Sequence, residues 1–389
     1  MNKLKKILVV GASIAGPSIA YWLEKYGFEP ILIEKSPEPR KGGYAIDIRG
    51  TAVDVAKMMG IYDSICASRT TLQSGQYVDH EGQVIHEEFG EQCGFRDGDD
   101  VEINRNELSN ILLKAVPHVP IKYGVSITLL KQHSDHVEVR FSDGSSDTFD
   151  LVIGADGLHS SVRTMVFKED EYALLDLGFY LAVFSAPNYL KLNHAGVFYE
   201  HDGKELSVVS DKDPDTALFW FMVRTQIQLK DMKQERIQKA FIREQCRGIG
   251  WESEKILTLL DMADDLYFDS ITQVRMDAWS KNRVVLLGDS GYCASPLSGQ
   301  GTSLALIGAY ILAGELKIAT DQGGYKTAFE RYHSLFTSFV NANQSFAVWA
   351  SETYLATDEN KIKNAEHMHA QVMEKMNQVK NAIRIPDYS

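Results

Sequence analysis

Apolar and polar positions change texture along this chain. The first part runs in short, wholly apolar segments joined by helical spacing. "KILVV" (6–10) reads as a buried strand, Gly11–Gly16 as a tight turn, Pro17–Tyr26 as a helix and Pro30–Glu34 as a second strand. "EINRNELSNILLKAV" (102–116) has apolar residues at Leu108, Ile111, Leu112, Ala115 and Val116, which predicts a helix capped by Asn104 or Asn106. The stretch after it alternates around a Ser-Asp-Gly turn as a β-hairpin does, and returns through the short apolar run of "DLVIGADG". From about 172 to 275, "FYLAVFSA", "AGVFYEHDG", "ELSVVSD" and "ALFWFMVR" alternate with aromatic residues, which predicts an antiparallel sheet. "RVVLLGD" (283–289) is again a buried strand, followed by a Gly-rich loop and a long helix. Everything from Tyr325 onward reads as helical, with a stripe at Ala365, Met368, Val372, Met376, Val379 and Ile383 before Pro386.

The interrupted order of buried strands predicts an α/β chain in which a β-sheet domain is inserted into a Rossmann-type domain. The expected division is 1–171 and 276–320 for the nucleotide-binding parts, 172–275 for the inserted sheet and 321–389 for helices bridging them.

Bulk numbers exclude several classes. The formal charge of −13 over 389 residues, with no long basic block, argues against nucleic acid and anionic membranes as partners. Cys66, Cys93, Cys246 and Cys293 lie far apart, with neither a redox pair nor metal-ligand spacing, so free thiols in a reducing cytoplasm are expected. "MNKLKK" before an apolar stretch mimics a secretory signal, but Gly11, Gly16 and Pro17 interrupt it. The apolar stretch around "SLALIGAYILAGEL" falls short of a membrane span, so a soluble chain is expected.

"GASIAGP" (11–17) departs from Gly-x-Gly-x-x-Gly, with Ser13 at the second glycine. Its context is nevertheless that of a dinucleotide turn: a strand before, a helix after, and Glu34 placed to accept ribose hydroxyls. A carboxylate there suits FAD or NAD better than a 2′-phosphate. In "LLGDSGYCASPLSGQGTSLAL" (286–306), Asp289 ends a strand and can accept a ribityl hydroxyl. The helix after Gly301 can stabilise negative charge on a reduced flavin. "DLVIGADGLHSSVR" (150–163) adds an Asp-Gly turn at Asp156, and Arg105 can reach a pyrophosphate.

These four stretches, in this order, resemble the single-component flavoprotein aromatic hydroxylases with the p-hydroxybenzoate hydroxylase fold. Within that group "GGYAIDIRG" (42–50), "EINRNEL", "GDSGYCASPLSGQG" and "NANQSFAVWASE" are most similar to the tetracycline destructases. The resemblance implies FAD as cofactor, NADPH as a transient reductant, O2, and a tetracycline-like polycycle oxygenated through a flavin C4a-hydroperoxide, in a monomer. Arg40, Asp47, Arg105 and Asp289 match cofactor-contacting positions, with Gly299 beside flavin and substrate. The remaining cofactor positions expected are Gly11, Ser13, Ala15, Gly16, Glu34, Lys35, Asp156, Pro296, Gly301 and Thr302. Phe219 and Phe221, with Pro296 and Gly299, are expected in the substrate pocket, Phe219 and Val183 replacing polar residues of the family. No catalytic acid or base is assigned: His159 and His333 read as structural histidines. A hydroxylase of another polycyclic or phenolic compound, a reductase without oxygen transfer, and a protein that merely sequesters a ligand remain alternatives.

Overall fold

In the computed structural model, which describes residues 5–39, 44–90, 96–229, 233–322, 324–353 and 365–389, Lys6–Val10 lies at the centre of a six-stranded sheet. Glu29–Glu34 and then Ile121–Tyr123 lie on one side of it in parallel, Leu151–Gly154 and then Val284–Leu286 on the other. Ser280–Lys281 closes that edge antiparallel. Four of the five residues of the central strand are buried, as a strand covered on both faces requires. Helix Ala15–Lys25 packs against the long helix Gly301–Gln322 through Trp22, Tyr310 and their neighbours.

The helix expected over 102–116 begins later. Val101–Asn104 pairs antiparallel with Ala45–Ile48, and the helix runs Arg105–Lys114 with the Asn104 carboxamide capping the Asn106 N–H at 3.0 Å. The residues before the cap face a partner strand, so pairing overrode the helical spacing there.

The antiparallel sheet has seven strands, and two of them, Ser74–Val78 and Val84–Phe89, come from before residue 172. Ser74–Val78 joins in parallel beside Ala195–His201. Strands Ala173–Pro187, Lys204–Ser210, Thr216–Arg224 and Tyr267–Arg275 complete it. One face packs with the helices Glu235–Cys246 and Ser253–Met262, which the alternation between 172 and 275 did not announce. The other face packs with Tyr44 and Leu297 of the nucleotide-binding part.

Helices Tyr325–Thr353 and Ala365–Lys380 follow, and the chain then leaves helical geometry rather than continuing to Pro386. The tail docks on the long helix. The Tyr388 hydroxyl donates to Glu315 at 2.7 Å, and Lys317 Nζ donates to the Tyr388 carbonyl at 2.6 Å. Gly301–Ala319 does meet the length and composition of a membrane span, with a mean hydropathy of 1.4, contrary to the sequence expectation; 89% of it is buried inside the protein, where it forms core.

Candidate functional site

The first turn is fixed by sterics at its two glycines. A Cβ on Gly16 would fall 1.8 Å from the Gly11 carbonyl oxygen, and one on Gly11 (φ +105°) would fall 2.4 Å from the Ala155 oxygen. Position 13 carries no such demand: the Ser13 side chain faces the cleft, where Arg105 Nη2 donates to its hydroxyl at 3.3 Å. The helix that starts at Ala15 has no side-chain cap, so its first turn presents N–H groups and a partial positive charge to an anion. Glu34 braces the turn, accepting the Ala12 N–H at 2.9 Å and the Ser36 N–H at 3.0 Å.

These groups line a cavity of about 310 Å³ at the carboxyl ends of the strands. Ser13, Glu34 and Tyr123 line one part of it, Arg105 lies between, and Tyr44, Tyr267 and Leu218 line the part against the seven-stranded sheet. Tyr44 and Tyr267 share a hydrogen bond, and burial pushes both phenols above the ordinary tyrosine range despite the opposing Arg105 charge. Neither tyrosine was singled out in the sequence; the signal was there for Tyr44, which directly follows the Gly-Gly pair.

Asp289 begins the short helix Asp289–Tyr292 after the buried strand. Surrounding protein raises its carboxyl above the ordinary range, while the Arg105 guanidinium and a hydrogen bond with the Cys293 thiol oppose that rise. The same environment holds the Cys293 thiol well above the usual thiol range, so it stays protonated and inert. Pro296–Ser298 forms a 3₁₀ turn that ends at left-handed Gly299, and Gly301 and buried Thr302 open the long helix. Around this loop the Ser295 hydroxyl and both polar atoms of the Gln300 amide are buried with no hydrogen-bond partner among the described residues. Asp47 and Met376 of the terminal helix approach Gly299, at 4.0 Å and 3.6 Å from where its Cβ would be.

Of the expected cofactor residues, Ser13, Glu34 and Arg105 are among those lining the cavity, whereas Asp289 and the Pro296–Thr302 loop are not. Three further residues stand apart. Both Asp156 oxygens are taken by its own turn, accepting from Ser160 Oγ, from the Ser161 N–H and hydroxyl and from the Val162 N–H, and the side chain is not among those lining the cavity. Lys35 is exposed and likewise not among the lining residues. Arg40 lies outside the described residues.

The substrate-pocket expectation for Phe219 and Phe221 is corrected. Both are fully buried on the opposite face of the sheet, stacked on Phe184 beneath the two covering helices. Strand parity places Leu218, Trp220 and Met222 on the cavity side, with Leu181 and Val183 of the neighbouring strand. His159 pairs with Asp269 at 3.0 Å, and His333 packs on Trp279 away from the cavity.

The donor set fits an FAD: a glycine-tight turn and uncapped helix for a pyrophosphate, Glu34 and Asp289 for hydroxyls, Arg105 for negative charge, and orphaned polar atoms beside the second helix. The fold and site are those of a flavoprotein built on a Rossmann-type sheet. A family model described as FAD binding domain matches residues 5–347. A flavin-dependent monooxygenase of an unknown prokaryotic organism is 52% identical over 388 residues, covering 100% of both chains. Two solved structures of tetracycline destructases are also similar. Tet(55) has a TM-score of 0.94 and 51% identity, covering 100% of each chain; Tet(51) has 0.92 and 48%, covering 99% of this chain and 100% of its own. The chain belongs to the FAD binding domain family and is an FAD-dependent flavoprotein monooxygenase.

Proposed function

We propose that this enzyme oxidatively inactivates tetracyclines, using NADPH as reductant and O2 as co-substrate, as a monomer in the cytoplasm. The observation that carries this reading is the match to Tet(55) over the whole of both chains, including the segments that wall the cavity. The wall itself supports it. Leu181, Val183, Leu218, Trp220 and Met222 form an apolar face, and Tyr44 and Tyr267 add hydroxyls beside it. A polycycle with one apolar and one polar edge suits such a surface.

In this reading Gly11 and Gly16 let the turn close tightly on the backbone, and the first turn of helix Ala15–Lys25 binds a pyrophosphate. Glu34 and Asp289 accept hydroxyls, Arg105 stabilises negative charge, and Pro296, Gly299, Gly301 and Thr302 form the edge that faces the flavin. Bound there, FAD supplies the electron transfer and oxygen activation that side chains cannot. The chain's own part is to orient the polycycle against Gly299 and to exclude water with the sheet wall and Met376. On the resemblance alone, the Arg40 guanidinium is assigned to a phosphate of the incoming NADPH.

The test is incubation of purified enzyme with NADPH, FAD, air and several tetracyclines, followed by product mass spectrometry. A product heavier by one oxygen, or a fragment of that adduct, is expected. Oxygenation of a phenol or another polycycle with tetracyclines intact would replace the substrate assignment. Drug-independent NADPH consumption releasing only peroxide would point to a reductase.

A further inference from the structure

Asp47, beside Gly299, is the end of a chain of buried charges that reaches the terminal helix. Arg49 Nη2 stands 2.9 Å from Asp47 Oδ1, and Arg49 Nη1 is 3.8 Å from Asp100 Oδ2. Asp100 accepts the Gly50 N–H at 2.9 Å on Oδ1 and Lys380 Nζ at 2.8 Å on Oδ2. The Arg49 and Asp100 side chains are 3% exposed and that of Lys380 6%, so each charge depends on its neighbours rather than on water. Asp97, at 3.8 Å from Lys380, is largely exposed and a weak competitor. Arg96 and Asp100 also act on Asp47 through space, and Glu102 interacts with it likewise.

The backbone is fitted to the same join. Gly50 (φ +52°) turns the chain between strand Ala45–Ile48 and helix Thr51–Met58, where a Cβ would fall 2.5 Å from the Lys380 carbonyl oxygen. Thr51 Oγ1 donates to the Ile383 carbonyl at 3.4 Å. The end of the terminal helix is therefore seated on the turn that carries Arg49. Four residues earlier on the same helix, Met376 touches the Gly299 site.

We infer that Lys380 and Asp100 are positioning residues: through Arg49 they set the Asp47 carboxylate, so that seating the terminal helix orders the Gly299 side of the flavin site. This rests on the reading of Asp47 and Gly299 as flavin neighbours. A neutral side chain at 380 leaves Asp100 and Arg49 to re-pair with each other, which draws Arg49 from Asp47.

The test uses full-length enzyme stripped of flavin and titrated with FAD, followed by flavin fluorescence and visible circular dichroism. Lys380→Met should raise the FAD dissociation constant about five- to tenfold and alter the flavin dichroism, and Lys380→Arg should restore both. In an Asp47→Asn background Lys380→Met should have little further effect on either readout, because the link it breaks is already cut. Asp100→Asn should reproduce the Lys380→Met changes. Unchanged FAD affinity and dichroism with only a lower melting temperature would overturn the inference, as would effects that add in full to those of Asp47→Asn. Failure to oxygenate tetracyclines would leave these readouts intact, so the substrate reading and this inference fail separately.

Discussion

The two walls of the cleft are built on different principles. On the nucleotide side, backbone does the work: Gly11 and Gly16 admit no Cβ, and the charged side chains Glu34 and Arg105 line the cavity beside a rigid turn. On the sheet side the backbone is an ordinary antiparallel ladder, and the chemistry lies in which residues fall on which face. The first wall tolerates almost no change at its glycines and fixes one cofactor. The second can vary residue by residue without disturbing its hydrogen bonds, which is how one scaffold takes different substrates.

Parity on the sheet gives the largest effect that separates the walls. Phe219→Ala should cost about 3–5 kcal/mol of stability, read as a drop in melting temperature, while the folded fraction keeps its substrate KM. A changed KM with stability intact would return Phe219 to the pocket. Gly16→Ala attacks the other wall: strain of about 1–3 kcal/mol is expected, together with loss of bound flavin in the absorbance ratio of purified protein. Asp289→Ala should fold normally and weaken FAD binding by roughly 1.5–3 kcal/mol, about 10- to 150-fold in dissociation constant by titration. Leu218→Ala, on the cavity face beside Phe219, should raise the substrate KM about fivefold with melting nearly unchanged, the loss of about 1 kcal/mol of apolar contact.

The smallest effect lies outside both walls. Burial lowers the His333 pKa below its ordinary 6.5, so the folded chain binds its proton less readily than the unfolded one. Its penalty appears as pH falls below that value and is absent above it. His333→Gln should therefore flatten the acid side of a melting-temperature profile and leave the neutral side in place.

The contrast also explains what could be read from the sequence. The nucleotide wall was legible because its requirements are local: strand, turn and helix are contiguous, and the glycines record a steric limit. Asp156 shows the limit of that legibility, since its own helix turn captures a carboxylate that the motif assigns to cofactors. The sheet wall was legible as strands but not as faces. In "ALFWFMVR" both parities are apolar, because one face meets helices and the other a cavity, so alternation carried no direction. The covering helices and the two early strands were missed for a related reason: their burial depends on partners outside the local stretch, Ala195–His201 for the strand Ser74–Val78 and sheet residues such as Tyr180 for the helices.

Strand order along the chain has a consequence for biosynthesis. Lys6–Val10 is made first, yet its neighbour Leu151–Gly154 and the strand Val284–Leu286 beyond it emerge far later. Ser74–Val78 likewise waits for Ala195–His201. A ribosome-bound chain thus holds unpaired strand edges through most of its elongation, the condition in which non-local pairing is slow and association with other chains competes. Asp289 and the loop to Gly301 follow the last of these strands, so the flavin cradle is completed only after all of them have been made. FAD therefore reaches a complete site only after Val284–Leu286 and the loop to Gly301 have been made, and cellular yield of this enzyme should respond to chaperone capacity before it responds to flavin supply.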